Sequence, residues 1–405
     1  MSLEAADDRA TDPRWLTRGV RSIGVASFLS DSGHEIATSV LPSFVTHTLG
    51  GSAGALGLIE GISDGLAGVA KLAGGSAAND PRRRRDLAAG GYVLTGVATG
   101  AIGVATAVWQ AAVLRAIAWV ARGARGPAKN ALLASLAPPG AYGRAFGYER
   151  AMDHLGAVVG PLAAAGLVAA IGIRQTIYLA LVPGLLAAAA IVVAARESRA
   201  LADDVPRRAR LELGALHEAG ILRALAPVTL FELGNCASTL LILRATGLLH
   251  SGRSLSDATA VAVLLFAAHN LVGSALSYPA GRAVDRRGPR AVFAAALVLF
   301  GLAYAGFALH TGSWPLLLAF FALAGAGMGL SDTAESALVA RLLPDELRGS
   351  GFGLLGAVQS LGDFVSSAAV GLVWTLVSPT AAFLVAAAWM VLSLAATALI
   401  VPARR

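Results

Sequence analysis

The sequence predicts an all-α integral membrane protein with twelve transmembrane helices in two pseudo-symmetric six-helix bundles. Three observations support this prediction. Hydrophobic residues make up 56% of the 405 residues and charged residues only 14%, and the mean hydropathy is +0.67, which is typical of membrane proteins. Apolar stretches long enough to cross a bilayer follow one another between short polar breaks. The two halves of the chain also align with each other at a constant shift.

The apolar stretches define the spans in order, each with the roughly 20 residues needed to cross a hydrocarbon core of about 30 Å. The first six are expected at 20–47, 53–76, 87–107, 109–136, 144–171 and 174–195. The other six are expected at 221–249, 255–280, 290–310, 313–342, 349–376 and 379–401. The predicted organisation is therefore a tail (1–19), an N-terminal bundle (20–195), a linker (196–220), a C-terminal bundle (221–401) and a short tail (402–405).

Arginines fall in alternate gaps between the spans and at the termini, while the opposite gaps hold little beyond Arg174 and Arg253. By the positive-inside rule, this pattern predicts an even number of spans with both termini in the cytoplasm. The first twenty residues lack the apolar core of a signal peptide, so we expect the first span to remain as an anchor. Basic residues are nearly all arginine, which suggests a GC-rich bacterium and hence its inner membrane. The net charge of +7 then reflects topology and attraction to anionic lipids rather than nucleic-acid binding.

The internal alignment places 337–367 over 131–161 without gaps. The matched residues include glycine, proline and phenylalanine, for which chance identity is less frequent than for alanine in this chain. The matched pairs are Ala131/Ala337, Leu132/Leu338, Pro138/Pro344, Gly143/Gly349, Phe146/Phe352, Gly147/Gly353, Leu155/Leu361 and Gly156/Gly362. The same register places Gly75 on Gly281. Duplication of a six-span unit explains this alignment.

Ionisable residues are absent from the interiors of predicted spans three, six, nine and twelve and present in the other eight. Because charge within a membrane is tolerated only towards protein or water, we expect four spans to face lipid and eight to surround an interior. The interior residues are Asp31, His34, Glu35, Glu60, Asp64, Arg115, Arg122, Arg125, Arg150, Asp153 and His154 in the first half, and Glu232, His269, Asp332, Glu335 and Asp363 in the second.

Asp31, His34 and Glu35 lie about one turn apart on one face of the first span, and Asp31 is near the middle of the bilayer. Burial favours a neutral carboxyl group and a neighbouring cation favours a charged one; a proton-coupled carrier needs both states. We predict proton coupling at Asp31 and Glu35, with Glu35 the better proton carrier and Asp31 the better ion-pair partner. His34 is predicted to contact substrate. The alternative for the carboxylates is permanent pairing with an arginine of the fourth or fifth span.

The fourth span carries a basic stripe within an arc of about 80°. Its members are Arg115, Arg122, Arg125 and Lys129. The aligned half has Asp332 in place of Gly126 and Glu335 in place of Lys129, so the interior should be electrically asymmetric, with both acids facing Arg115. Guanidinium groups bind carboxylate or phosphate through paired hydrogen bonds, which predicts substrate binding at Arg115 and Arg122. The alternative is a structural network that neutralises acids of neighbouring spans.

The second half offers a smaller set of candidates. Glu232 and Asn235 lie one turn apart on the seventh span, and we predict that they bind substrate. His269 is expected to hydrogen-bond a neighbouring helix. Asp153 and His154 are expected to cap or pack near the start of the fifth span.

Three motifs point to a known family. "GRAVDRRGPR" (281–290) places a glycine, an aspartate–arginine pair, a second glycine and a base in one loop, at Gly281, Asp285, Arg286, Gly288 and Arg290. The first-half counterpart, "GGSAANDPRRRR" (74–85), has Asn79 where the aspartate stands and Asp80 where the arginine stands. Arg115 stands at a fixed distance before "ALLAS" (131–135). "GAVVGPLAAAG" (156–166) contains Gly156, Gly160 and Pro161.

These motifs resemble those of the major facilitator superfamily, and the last is similar to a motif of its drug/proton antiporters. The resemblance implies the major facilitator fold, a cavity-facing Arg115, conformational roles for the two glycine motifs, and alternating access around a midplane site. We predict a secondary active transporter that moves a small organic solute by proton-coupled efflux, as an antiporter. The alternative is proton-coupled uptake of an organic anion, and a different class is a transport-silent membrane sensor or scaffold.

The sequence contains no phosphate-binding loop, no metal-spaced His/Cys cluster and no nucleophile elbow. The single cysteine, Cys236, excludes an internal disulfide. We therefore expect no catalysis, no cofactor and no metal site. The expected protein is a monomer whose partners are a small-molecule substrate, protons and membrane lipids.

Overall fold

A computed structural model describes residues 15–201, 210–211 and 213–399. The predicted C-terminal tail, most of the N-terminal tail and part of the linker lie outside these residues. The first half contains α1 (Arg18–Ser43), α2 (Ala53–Ala77), α3 (Pro81–Ala101), α4 (Val108–Leu136), α5 (Tyr142–Ile171), α6 (Ile173–Leu179) and α7 (Leu181–Leu201). The second contains α8 (Leu213–Glu218), α9 (Ile221–Glu232), α10 (Ser238–Leu249), α11 (Leu255–Arg287), α12 (Pro289–Ala308), α13 (Trp314–Leu342), α14 (Asp345–Leu376) and α15 (Pro379–Leu399).

Two of the predicted spans, at 174–195 and 221–249, each consist of two consecutive helices in the structure. The sixth span consists of α6 and α7; Pro183 lacks the N–H that would bond to the carbonyl of Leu179. The seventh consists of α9 and α10, separated by residues 233–237. Gly234 packs there against α15, where an added Cβ would come within 2.3 Å of the Cβ of Trp389. The seventh-span break therefore lies against a packed helix.

Eight helical segments in the described part of the chain are long and apolar enough to cross a membrane. The first, second and fourth spans are not among them because charged side chains lower their hydropathy, and the seventh because it is interrupted. These are spans that the sequence assigns to the interior. The predicted lipid-facing helices instead expose apolar side chains, including Val93 and Leu94 on α3, Leu186 on α7, Leu302 on α12 and Leu384 on α15. Interior charge therefore explains why hydropathy alone identifies fewer than twelve spans.

The two halves contact each other at one end of the helices, which we call the closed end; α1 begins and α15 ends there. Glycines permit close backbone contact: a Cβ on Gly143 would lie 2.2 Å from the carbonyl oxygen of Gly281, and one on Gly75 would lie 2.6 Å from the Cα of Gly353. Hydrogen bonds and ion pairs between the halves of the described chain extend from this end only to about mid-helix, at Lys71–Ser360 and His154–Asp332.

Beyond mid-helix the halves separate. Gly57, Gly61 and Gly65 of α2 have no atom within 4 Å of an added Cβ, and Leu58 is 68% exposed. On the facing helix α14, Phe364 is 73% exposed. The interior is therefore closed at one end and open at the other, which we call the open end.

Candidate functional site

The three ionisable residues of α1 have different surroundings. Asp31 is buried, and its Oδ1 accepts a hydrogen bond from Arg122 Nη2 at 2.6 Å. His34 is also buried, with its ring centroid 4.4 Å from that of Trp119. Glu35 is 28% exposed and lies 3.8 Å from His34 Nε2, and no lysine or arginine of the described chain forms an ion pair with it. Asp31 therefore has a fixed counter-charge and Glu35 does not.

Each member of the basic stripe on α4 has a partner within the first half. Arg115 donates to Glu60 Oε2 at 3.0 Å and to Thr38 Oγ1 at 3.1 Å, and its guanidinium lies 3.6 Å from the centre of the Trp119 ring. Arg125 donates to Ser30 Oγ at 2.7 Å and stacks 3.7 Å from the centre of the Tyr92 ring. With Arg122 on Asp31 and Lys129 on Glu149, all four bases of the stripe contact neighbouring helices of the first half.

Glu149 is an interior residue that the sequence analysis missed. It is fully buried, forms an ion pair with Lys129 and accepts a hydrogen bond from Ser27 Oγ at 2.6 Å. Arg150 Nε lies 3.5 Å from its other oxygen. Lys129, the last base of the α4 stripe, could have indicated Glu149, because a buried lysine needs an acid at the same depth on a neighbouring helix. A cavity of about 180 Å³ lies beside this cluster, lined also by Asp31, Asp153, Phe352 and Gln359.

Close packing between α1 and α5 explains the Gly156, Gly160 and Pro161 motif in physical terms. A Cβ on Gly156 would lie 2.6 Å from the carbonyl oxygen of Phe28, and one on Gly160 would lie 2.4 Å from the Cβ of Glu35. Pro161 continues α5 directly after these glycines. The two glycines thus bring the α5 backbone against the part of α1 that carries Asp31 and Glu35.

At the aligned positions of the second half, two serine hydroxyls hydrogen-bond backbone groups in the break of the seventh span. Ser366 Oγ, which aligns with Gly160, donates to the carbonyl oxygen of Asn235 at 2.7 Å. Ser367 Oγ, which aligns with Pro161, accepts from the N–H of Ala237 at 3.0 Å. Because unpaired backbone groups are costly at membrane depth, these two bonds permit an irregular segment there.

Glu232 and Asn235, the predicted second-half pair, lie on either side of the start of this break. Asn235 Nδ2 donates to Glu232 Oε2 at 3.3 Å, and its Oδ1 accepts from the Tyr304 hydroxyl at 3.1 Å. Glu232 is only 4% exposed. The structure brings these two residues together, although they do not share one continuous helix.

The remaining interior acids do not face Arg115, so that prediction is wrong. Asp332 lies 3.5 Å from His154 Nε2, across the interface between the halves. Glu335 accepts from Gln359 Nε2 at 2.8 Å. His154 lies in the interior of α5 rather than near its start, which explains its contact with the opposite half. His269 Nδ1 lies 3.1 Å from the carbonyl oxygen of Phe321, the neighbouring-helix contact that the sequence suggested.

Asp285 of the 281–290 motif binds the start of α5 across the interface. Its two carboxylate oxygens accept from the N–H groups of Gly143 at 2.8 Å and Arg144 at 3.0 Å, and Arg341 Nη2 donates to it at 3.0 Å. A carboxylate at a helix N-terminus also interacts favourably with the helix dipole. Gly288 has a φ of +84°, which favours glycine.

The two arginines of this motif play different parts. Arg290 donates to the carbonyl oxygen of Ala398 at 2.6 Å, whereas Arg286 is exposed.

Asn79 makes the corresponding contact in the other half, although it replaces the aspartate. Its Oδ1 accepts from the N–H of Ser350 at 2.9 Å, and its Nδ2 donates to Ser350 Oγ at 2.8 Å. Ser350 aligns with Arg144, so both loops bind the start of the opposite half's helix. Asp80 instead accepts from the N–H of Arg82 at 2.9 Å, at the start of α3. One contact between the halves is thus charged and the other neutral.

Comparison with known proteins agrees with this architecture. Residues 23–251 and 248–405 match the family model of the Major Facilitator Superfamily. An uncharacterised MFS-type transporter of Methanocaldococcus jannaschii is 24% identical over 92% of both chains. A bacterial homologue of the iron transporter ferroportin, solved in an outward-facing state, superposes with a TM-score of 0.76 at 16% identity, covering 94% of this chain and 99% of the other. The human organic anion transporter MFSD10 gives 0.74 at 15% identity, covering 96% and 100%.

Proposed function

The chain belongs to the major facilitator superfamily of membrane transporters, and on that premise we propose that it exports a small organic solute in exchange for protons. In this proposal the two halves alternate access to a central site. Glu35 exchanges the proton, Asp31 and Arg122 form a neighbouring ion pair, and the substrate contacts His34 on one side and Glu232 and Asn235 on the other. The protein works as a monomer in a bacterial inner membrane.

The observation that carries the proposal is the unpaired state of Glu35. Asp31, Glu60 and Glu149 each contact an arginine or lysine, whereas among the described residues the one basic side chain within 4 Å of the Glu35 carboxylate is His34. When a paired carboxylate binds a proton, it loses the favourable interaction with its counter-charge. Glu35 has no such interaction to lose, so protonation costs it less. Its partial exposure, beside the α1–α5 crossing, allows protons to reach it from the open end.

The orientation of the chain supports an outward-facing state. Arginines concentrate at the closed end, including Arg84, Arg144, Arg341 and Arg348, and the positive-inside rule assigns that end to the cytoplasm. The open end then faces the outside. A proton arriving at Glu35 from the outside, followed by closure of the open end, is the loading half of an antiport cycle.

Uptake of an organic anion has less support. Arg115, the best candidate to bind an anion, is 1% exposed and uses its donors on Glu60 and Thr38. Arg122 donates to Asp31. The likeness to the human organic anion transporter, at 15% identity, concerns the fold alone.

Transport by reconstituted protein tests the proposal. A thermal-shift screen of metabolites and drugs would first select a ligand, and its flux would then be measured in proteoliposomes under an imposed pH gradient. We expect uptake into inside-out vesicles to be driven by an acidic lumen, and Glu35→Gln to abolish that dependence. Full gradient-driven transport by an Asp31→Asn/Glu35→Gln double variant would reject proton coupling at these residues. An absence of ligand-dependent flux in the wild-type protein would favour the sensor or scaffold alternative.

A further inference from the structure

Two buried carboxylates of the second half form no ion pair with any residue that the structure describes. Glu232 is 4% exposed and Glu335 is 1% exposed, and each accepts a hydrogen bond only from a neutral amide, at Asn235 and Gln359 respectively. The Oε1 atom of Glu335 is buried and has no hydrogen-bond partner. Burying a charged carboxylate without pairing costs several kcal/mol in a low-dielectric interior, so each group is stable either as a neutral carboxylic acid or beside a positive charge.

The neighbouring cations are already engaged elsewhere. Arg150 contacts Glu149 and Asp153, and His154 contacts Asp332. Lys71 donates to Ser360 Oγ at 2.7 Å. In the described chain, neither Glu232 nor Glu335 takes part in an ion pair.

The two glutamates contact positions one turn apart on α14, and one of these positions, Gln359, lines the cavity beside the α4 stripe. Helix α14 lies against both: Gln359 binds Glu335, and Gly362 leaves so little room that a Cβ would come within 2.3 Å of the Cβ of Glu232. Asp363, on the same helix, is exposed. Because Asp363 is next to Gly362 in the chain, its charge attracts cations towards this part of α14.

The surroundings favour an organic cation over a metal ion. No group of three or more His, Cys, Asp or Glu side chains in the described residues could hold a metal ion. Tyr304, whose hydroxyl donates to Asn235 in the break of the seventh span, belongs to a buried aromatic group in which the centroids of Phe300 and Tyr304 are 5.8 Å apart and those of Phe231 and Phe300 are 5.1 Å apart. Carboxylate charge next to aromatic and aliphatic surface is the chemistry that recognises ammonium groups.

We propose that Glu232 and Glu335 bind the positively charged group of an organic cation, and that organic cations are the substrate class of this transporter. The statement that organic cations are substrates rests on the proposed export function. The binding site itself does not depend on proton coupling or on the direction of transport. The asymmetry between the halves follows from it: the first half carries its own counter-charges, and the second receives one with the substrate.

Binding to the purified protein in detergent tests the inference without any pH gradient. The probes are tetramethylammonium, tetraethylammonium and tetraphenylphosphonium, with tetraphenylborate as an anion of the same shape as the last, and Na⁺ as an inorganic cation. We expect at least one organic cation to bind by equilibrium dialysis, and tetraphenylborate to show no binding beyond that of empty micelles. Glu335→Gln and Glu232→Gln should each weaken cation binding at least tenfold.

Two controls make the result interpretable. Glu335→Asp keeps the charge and should retain more binding than Glu335→Gln, and Asp257→Asn, at the exposed start of α11, should bind as the wild type does. Each variant must elute as a single species of unchanged size. Equal cation binding by the wild type and the Glu232→Gln/Glu335→Gln double variant, equal binding of tetraphenylborate, or carboxylate-dependent binding of Na⁺ alone would each overturn the inference. Proton-driven export of an uncharged solute without cation binding would overturn the inference and leave the proposed function intact. Cation binding without proton-driven flux would support the cation site and reject the proposed function.

Discussion

The two halves of this chain share one scaffold and differ in how they hold buried charge. In the first half Asp31, Glu60 and Glu149 each lie against an arginine or lysine. In the second half Glu232 and Glu335 lie against amides. Lys129 and Glu335 occupy aligned positions, so the same point in the fold carries opposite charge. Duplication thus preserved the packing, including the glycines at the interface, while the charges diverged.

Removing one acid from each half should produce the largest contrast. Glu149→Gln leaves the buried Lys129 without its counter-charge, and breaking a buried ion pair costs about 3–5 kcal/mol. Glu335→Gln removes a charge that has no partner, so stability should be unchanged or higher. Thermal unfolding of the two purified variants measures the difference, and a larger loss for Glu335→Gln would show that Glu335 has a counter-charge after all.

Helix packing at aligned positions should give a smaller contrast. Gly160→Ala places a methyl group against Glu35 and should push α5 from α1, at a cost of about 1–3 kcal/mol. Ser366→Ala keeps the packing and loses one hydrogen bond to the broken backbone, worth about 1 kcal/mol. The same unfolding assay ranks them. A Gly160→Ala protein as stable as the wild type would mean that the α1–α5 crossing relaxes freely.

Variants of the two interface contacts should differ least, and the difference should be in the fraction of molecules whose halves separate at the closed end. Asp285→Ala removes a carboxylate that binds two backbone N–H groups and Arg341, whereas Asn79→Ala removes neutral hydrogen bonds. Charge-assisted bonds are the stronger kind. Spin labels at the closed end should therefore report a larger separated fraction for Asp285→Ala. Equal fractions in the two variants would indicate that the aspartate's charge contributes nothing to closure.

The sequence predicted the fold well because long apolar stretches and the internal alignment report packing directly. It also indicated Asp31 as the better ion-pair partner of the two α1 carboxylates and placed Glu232 and Asn235 one turn apart on one span. The sequence did not show the break in the seventh span, because Gly234 and Ser366 meet only through tertiary packing. Glu149 was missed for a similar reason: its partners Lys129 and Ser27 are on other helices. The partner of each charge depends on helix rotation, which a single sequence does not record.

We propose that the two halves divide the work of transport, with proton exchange in the first half and cation binding in the second. One experiment separates the two functions. Proteoliposomes would carry the organic cation that binds most tightly, and its flux would be measured both under a pH gradient and as exchange at equal pH. The predicted result is that Glu35→Gln loses gradient-driven transport and retains exchange, whereas Glu335→Gln loses both. Gradient-driven transport that survives in Glu35→Gln, or exchange that survives unchanged in Glu335→Gln, would contradict the account.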